Sequence, residues 1–177
     1  MTRNSIGDNI HGSEILLPVA SRYILLTVFA AVLLQLVPMP GFVAWVWPDF
    51  VALLLVYWGV FQPRRLGLLS AWLLGLVMDV AEGSLFGQHA LAYSVLAFGG
   101  IVLHRRVLMF SMRDQVLHVI VLLLLNDVMV LAIRMLSGAG FPGLQYFIGS
   151  LTAAALWPAL TFLFKLPQRP QPDPDRV

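Results

Sequence analysis

Two carboxylates, an amide and an imidazole lie close together in residues 76–91, LVMDVAEGSLFGQHAL, within a chain that is otherwise largely apolar. They belong to Asp79, Glu82, Gln88 and His89. Carboxylates and imidazoles serve as general acids and bases, as metal ligands or as partners in strong hydrogen bonds. The solvent around them and the elements that hold them decide among these uses.

The composition identifies that solvent as a lipid bilayer. Of the 177 residues, 59% are hydrophobic and only 11% are charged, and the mean hydropathy is +0.85. Soluble domains are about 25% charged. The chain contains no cysteine, which excludes disulfides and thiolate chemistry. The sequence therefore predicts an all-α integral membrane protein.

Six segments approach the length of about 20 apolar residues that a membrane-crossing helix needs. We predict a six-transmembrane-helix bundle over residues 22–166, with a cytoplasmic N-terminal tail over 1–21 and a disordered cytoplasmic C-terminal tail over 167–177. In the second segment Pro48 is expected in the first helical turn, with Asp49 at the positive end of the helix dipole and Trp45 and Trp47 in the membrane interface. The segments run over residues 22–37, 48–61, 66–82, 89–103, 115–135 and 146–165.

The cations indicate how these helices are oriented. With the N-terminus inside, ten of the eleven lysines and arginines fall in cytoplasmic segments, and only Arg134 lies outside. Cytoplasmic loops are enriched in lysine and arginine, so both termini are expected in the cytoplasm. Because topology accounts for the arginines, binding of nucleic acid is not expected.

Asp79 lies about two thirds of the way along the third predicted helix, and Glu82 follows on nearly the same face. An ionised aspartate at the bilayer centre costs about 2.5–3.5 kcal/mol, so Asp79 should face protein or water. Two interpretations remain: both acids mark the end of the helix, with Gly83 as its terminator, or they form a polar interaction site. Gly83 and Gly87 are expected to shape a tight turn.

Gln88 and His89 open the fourth helix from the outer face. A lone histidine there is expected to start the helix or to lie at the membrane interface rather than to bind a metal, because no second histidine lies at the spacing of a metal site. The sequence therefore predicts no bound metal and no cofactor.

The fifth helix carries Asn126 and Asp127 near its middle and Arg134 two turns later. Asp127 and Asp79 are expected at similar depths, because the third and fifth helices run in the same direction. Two interpretations remain here also. Either Arg134 balances the acids in a buried polar network, or it extends to the outer surface while Asp127 lines a helix contact.

Motifs of enzymes are missing from the sequence. It has no GxSxG nucleophile elbow, no HExxH metal motif and no phosphate-binding GxxxxGK[ST] loop. No catalytic residue is predicted.

The chain resembles the rod shape-determining protein MreD family. The resemblance covers nearly the whole chain apart from the tails, and it is most specific in the glycine-acid pattern GLVMDVAEGSLFGQHAL of residues 75–91. It also rests on the block that runs from Pro48 to Val95 and begins PDFVALLLVYWGVFQPRR, and on FPGLQYFIGSLTAAALWP from Phe141 to Pro158.

This resemblance implies a non-enzymatic component of the bacterial inner membrane that supports cell elongation and peptidoglycan synthesis. The implied partners are MreC above all, the actin-like MreB, RodA and the elongation-specific penicillin-binding transpeptidase. Membrane lipid is a further expected partner, and pairing with a second copy of the chain is left open. The resemblance also implies a fold similar to the substrate-binding components of energy-coupling-factor transporters. The alternative function is therefore a small-molecule-binding subunit of a transporter.

Overall fold

The computed structural model describes residues 20–165, and this part of the chain is all helical apart from turns. The two predicted tails lie outside these residues, except for Ala20 and Ser21. A 3₁₀ turn over Leu144–Phe147 precedes the last helix. The helices are α1 Ser21–Gln35, α2 Val43–Val46, α3 Phe50–Phe61, α4 Leu68–Ala81, α5 Gln88–Met109, α6 Met112–Leu136 and α7 Ile148–Lys165.

Four helical segments of the described chain are long and apolar enough to cross a membrane. They cover Val43–Phe61, Gln88–Met109, Met112–Leu136 and Leu144–Lys165. The helices α1 and α4 are apolar but shorter, with 15 and 14 residues. At about 1.5 Å per residue each is roughly 21–23 Å long, less than the hydrocarbon thickness of about 30 Å.

The central helix is α3, in which every residue from Val51 to Val60 is buried. It packs against α1 and α5 and also contacts α6 and α7. Its aromatic side chains Tyr57 and Trp58 join Trp157 of α7 as the largest fully buried side chains of the described residues. This aromatic cluster fixes α3 and α7 against each other.

Glycines bring α5 close to two neighbouring helices. A Cβ on Gly75 of α4 would lie 2.4 Å from the Cα of Ala90, so the two backbones touch. Gly59 of α3 and Gly100 of α5 also face each other, with less crowding. Small residues permit such close approach between membrane helices. The contact at Gly75 fixes where α4 ends relative to the start of α5.

The prediction that Pro48 lies in the first turn of a helix is wrong. Helix α3 begins at Phe50 with Asp49 as its N-cap, and the carboxylate Oδ1 accepts a bond from the Ala52 amide at 2.8 Å. Pro48 therefore lies one residue before the cap. Asp49 does lie at the positive end of the helix dipole, because capping places its carboxylate there.

The boundary predicted between the fourth and fifth helices is also wrong. Helix α5 continues beyond Leu103 to Met109, so Arg105 and Arg106 are helical rather than part of a loop. Helix α6 then begins at Met112. No glycine or proline interrupts this region, and arginine is a good helix former. Only residues 110–111 therefore connect α5 to α6.

Candidate functional site

The carboxylate of Asp79 binds the start of the next helix. It lies in the last turn of α4, fully buried, and accepts bonds from the backbone amides of Gly87 and His89, each at 2.8 Å. The hydroxyl of Ser84 donates to the same carboxylate at 3.0 Å. Asp79 therefore caps α5 from the end of α4, which satisfies amides that a helix start leaves unpaired.

His89 lies between two acids. Its Nδ1 is 2.9 Å from Oδ1 of Asp79, and its Nε2 is 3.6 Å from Oε2 of Glu82. Glu82 follows the last residue of α4 and is partly exposed. The histidine thus links a buried acid to a more accessible one.

The three residues Ser84, His89 and Asp79 do not form a catalytic relay. In a serine hydrolase the serine meets one ring nitrogen of histidine and the aspartate meets the other. Here Ser84 Oγ is 3.3 Å from Nδ1, the same nitrogen that faces Asp79. This geometry positions the start of α5 and does not activate the hydroxyl.

Two glycines shape the turn between α4 and α5. Gly83 has φ +62° and Gly87 has φ +97°, values that favour glycine because a Cβ would be strained there. Gln88 follows directly and is only 2% exposed. Its side chain lines the cavity described below.

A second polar group joins α6 to α7. The buried carboxylate of Asp127 accepts a bond from the hydroxyl of Ser150 in the first turn of α7. The adjacent Asn126 is also buried, and its Oδ1 has no hydrogen-bond partner among the described residues. Arg134 is exposed at the end of α6, and no carboxylate of residues 20–165 lies within 4.0 Å of it.

Asp49 and Tyr93 form a third polar contact that sequence reasoning missed. The Tyr93 hydroxyl lies 3.2 Å from Oδ1 and 3.1 Å from Oδ2 of Asp49. The sequence predicted only that Asp49 lies at the positive end of a helix dipole. The two residues are 44 positions apart, so no local pattern signals their contact.

All three polar groups surround one cavity of about 570 Å³ at the end of the bundle where α4 ends and α5 begins. Three helices, α3, α5 and α7, start at this end, and a buried or capping aspartate serves the start of each. Asp49 and Asp127, which line the cavity, therefore already accept hydrogen bonds from the starts of α3 and α7. Its polar lining comprises Gln35, Asp49, Glu82, Ser84, Gln88, His89, Asp127, Arg134, Ser137, Tyr146 and Ser150.

The cavity offers hydrogen-bonding groups but no recognisable metal centre. Within the described part of the chain, no group of three or more histidine, cysteine or acidic residues is placed to hold a metal ion. That Asp79 and Asp127 lie at similar depths in the membrane stays a prediction. In the structure each of these acids bonds to the first residues of the following helix.

Comparison with known proteins identifies the family. The family model for the rod shape-determining protein MreD matches residues 19–166. The chain belongs to the MreD family. The rod shape-determining protein MreD of Haemophilus influenzae is 28% identical over 139 residues, which cover 76% of this chain and 83% of that relative. No solved structure matches the chain.

Membership of the MreD family makes the chain a rod-shape-determining protein, and its four long apolar helical segments fit a multi-pass membrane protein. The matched range includes all the helices described above, so the cavity and the two aspartates that line it, Asp49 and Asp127, belong to the MreD domain itself.

Proposed function

We propose that this MreD family member is a non-enzymatic component of the cell-elongation complex in the bacterial inner membrane. It supports lateral peptidoglycan synthesis and cell shape by binding MreC and, with it, MreB, RodA and the elongation-specific transpeptidase. The family match over residues 19–166 carries this proposal. The bonding of Asp79, which is used to hold α5, supports a structural rather than a chemical use of the acids.

The proposal includes six membrane spans, with α1 and α4 as the two short ones. A short helix is accommodated when the bilayer thins locally or when flanking residues extend to the interface. Seven of the eight lysines and arginines in residues 20–165 lie at the end of the bundle opposite the cavity, and Arg134 lies at the cavity end. This distribution supports cytoplasmic termini and an outward-facing cavity.

Cysteine labelling tests this topology in a chain that has no natural cysteine. A cysteine in place of Gly140, which has open space around it, should react with a membrane-impermeant maleimide added to intact cells. A cysteine in place of Ser111, in the connection between α5 and α6, should react only after the membrane is permeabilised. Labelling of the Ser111→Cys variant in intact cells would contradict the proposed topology.

Co-purification tests the proposed partner. The tagged chain should retain MreC of the same bacterium after extraction in a mild detergent, whereas an unrelated six-span protein with the same tag should not. Depletion of the chain should turn rod cells round, and re-expression should restore them. If MreC is absent from the purified sample while the chain is intact, the proposed scaffold function is wrong.

The cavity favours one alternative function, a small-molecule-binding subunit similar to the substrate-binding components of energy-coupling-factor transporters. Its volume of about 570 Å³ falls within the range of small-molecule sites, and its polar groups come from several helices. A ligand at a hundredfold excess over its dissociation constant would stabilise the protein by about 2.7 kcal/mol. We expect no vitamin to raise the melting temperature, and a clear increase with one vitamin would favour the transporter function.

A further inference from the structure

A groove of about 420 Å³ lies between α1 and α4, at the end of the bundle away from the polar cavity. Helix α1 packs on α3 and α4 packs on α5, so α1 and α4 face each other across open space. The lining of the groove comprises Ser21, Ile24, Leu25, Val28, Arg65, Leu66, Ser70, Leu73, Leu74 and Val77.

The two walls of the groove have the same pattern. Each helix contributes a serine followed by apolar residues three, four and seven positions later, which is one face of a helix. The serines are Ser21 and Ser70, and both belong to the first turn of their helices. The groove is therefore polar at one end and apolar over the rest of its length.

The side chain of Arg65 places a positive charge at the polar end of the groove. Arg65 donates from one of its terminal nitrogens to the Ser21 hydroxyl at 2.7 Å. The guanidinium has five N–H groups, so this bond leaves other donors available. Within residues 20–165 no carboxylate lies within 4.0 Å of Arg65. Arginine binds phosphate through paired hydrogen bonds, which makes a phosphate group a suitable partner.

The length of the groove matches one leaflet of a bilayer. From Ser21 to Val28 the axial rise is about 10 Å, and Arg65 extends the site beyond Ser21. Half of the hydrocarbon core is about 15 Å thick. A phospholipid whose phosphate meets Arg65 would lay an acyl chain along the apolar face toward the middle of the membrane.

We propose that the groove between α1 and α4 binds one anionic phospholipid, with its headgroup at Arg65 and an acyl chain between the two helices. A basic pocket between membrane helices is a known form of anionic-lipid site. The charge of Arg65 favours a lipid over an apolar helix of another protein, because such a helix offers no anion at this position. The proposal depends on the membrane location and not on the partners proposed above.

Native mass spectrometry of the delipidated full chain tests the proposal. Phosphatidylglycerol and phosphatidylcholine with identical acyl chains are added in turn. Both carry an ionised phosphate, but the choline cation of phosphatidylcholine offsets that charge and is repelled by Arg65, so we expect phosphatidylglycerol to bind about tenfold more tightly. The variant Arg65→Gln should lose this preference. The variant Arg106→Gln, which removes an exposed arginine outside the groove, should keep it.

Two further variants separate lipid binding from a structural role of Arg65. Ser21→Ala removes only the internal bond and should keep the preference. Leu73→Trp, at a half-exposed position, should fill the groove and weaken binding of both lipids without lowering the melting temperature. Equal binding of the two lipids to the natural chain would overturn the proposal. Loss of MreC co-purification in Leu73→Trp with unchanged lipid binding would assign the groove to a partner helix and overturn it as well.

Discussion

Replacing Asp79 tests the central claim about the polar turn, namely that this carboxylate holds the start of α5. The variant Asp79→Leu removes the acceptor for the backbone amides of Gly87 and His89 and for the Ser84 hydroxyl. The hydroxyl can rotate toward another acceptor, whereas the two amides are fixed by the helix. Each stranded buried donor costs about 1–3 kcal/mol, so we expect the two amides together to cost about 2–6 kcal/mol.

The variant Asp79→Asn should have a smaller effect. Asparagine keeps one acceptor oxygen and nearly the same shape, so it still caps α5 through one amide. Its NH₂ group then faces the other amide, which removes one bond and places two donors together. We expect a loss of about 1–2 kcal/mol, close to the cost of removing a helix cap.

Denaturation in detergent, followed through the fluorescence of the five tryptophans, gives the free energies of unfolding. Glu82→Gln is the matched control, because Glu82 is three residues away and partly exposed. Its effect should stay within about 0.5 kcal/mol. If Asp79→Leu and Glu82→Gln unfold with the same free energy, the carboxylate does not hold α5 and the reasoning is wrong.

Two other contacts give predictions for the same denaturation assay. Gly75→Ala should lower the free energy of unfolding by about 1–3 kcal/mol, because the added Cβ would lie 2.4 Å from the α5 backbone. Gly99→Ala meets only a movable leucine side-chain tip and should cost less, and a reversed order would contradict the packing. Ser150→Ala should cost about 1–3 kcal/mol by removing the hydroxyl donor of the buried Asp127 carboxylate, whereas Ser137→Ala, at an exposed position, should be nearly neutral.

The sequence predicted those features that follow from local pattern. The apolar run after Asp49 predicted α3, and the hydropathy of residues 115–135 predicted most of α6. The positions of Gly83 and Gly87 correspond to backbone with positive φ, which few other residues adopt. In each case neighbouring residues alone determine the conformation.

Features that depend on distant residues were not predictable in this way. The contact between Tyr93 and Asp49 and the contact between Ser150 and Asp127 join positions 44 and 23 residues apart. Helix α5 also extends beyond the predicted end of its segment at Leu103 and includes Arg105, because arginine is a good helix former. A single sequence shows which groups are polar but not which distant group each one meets.

The separations along the chain also have a consequence for how the protein assembles. The hydrogen-bond donors to the Asp79 carboxylate lie five to eleven residues away, so they all belong to the α4–α5 hairpin. The contact between Asp49 and Tyr93 can form only after α5 is in place, because Tyr93 lies 44 residues later in the chain. Closing a short loop costs less entropy than closing a long one. The hairpin can therefore enter the bilayer with its acid already paired, and it then provides the docking surface on which α3 completes its own polar contact.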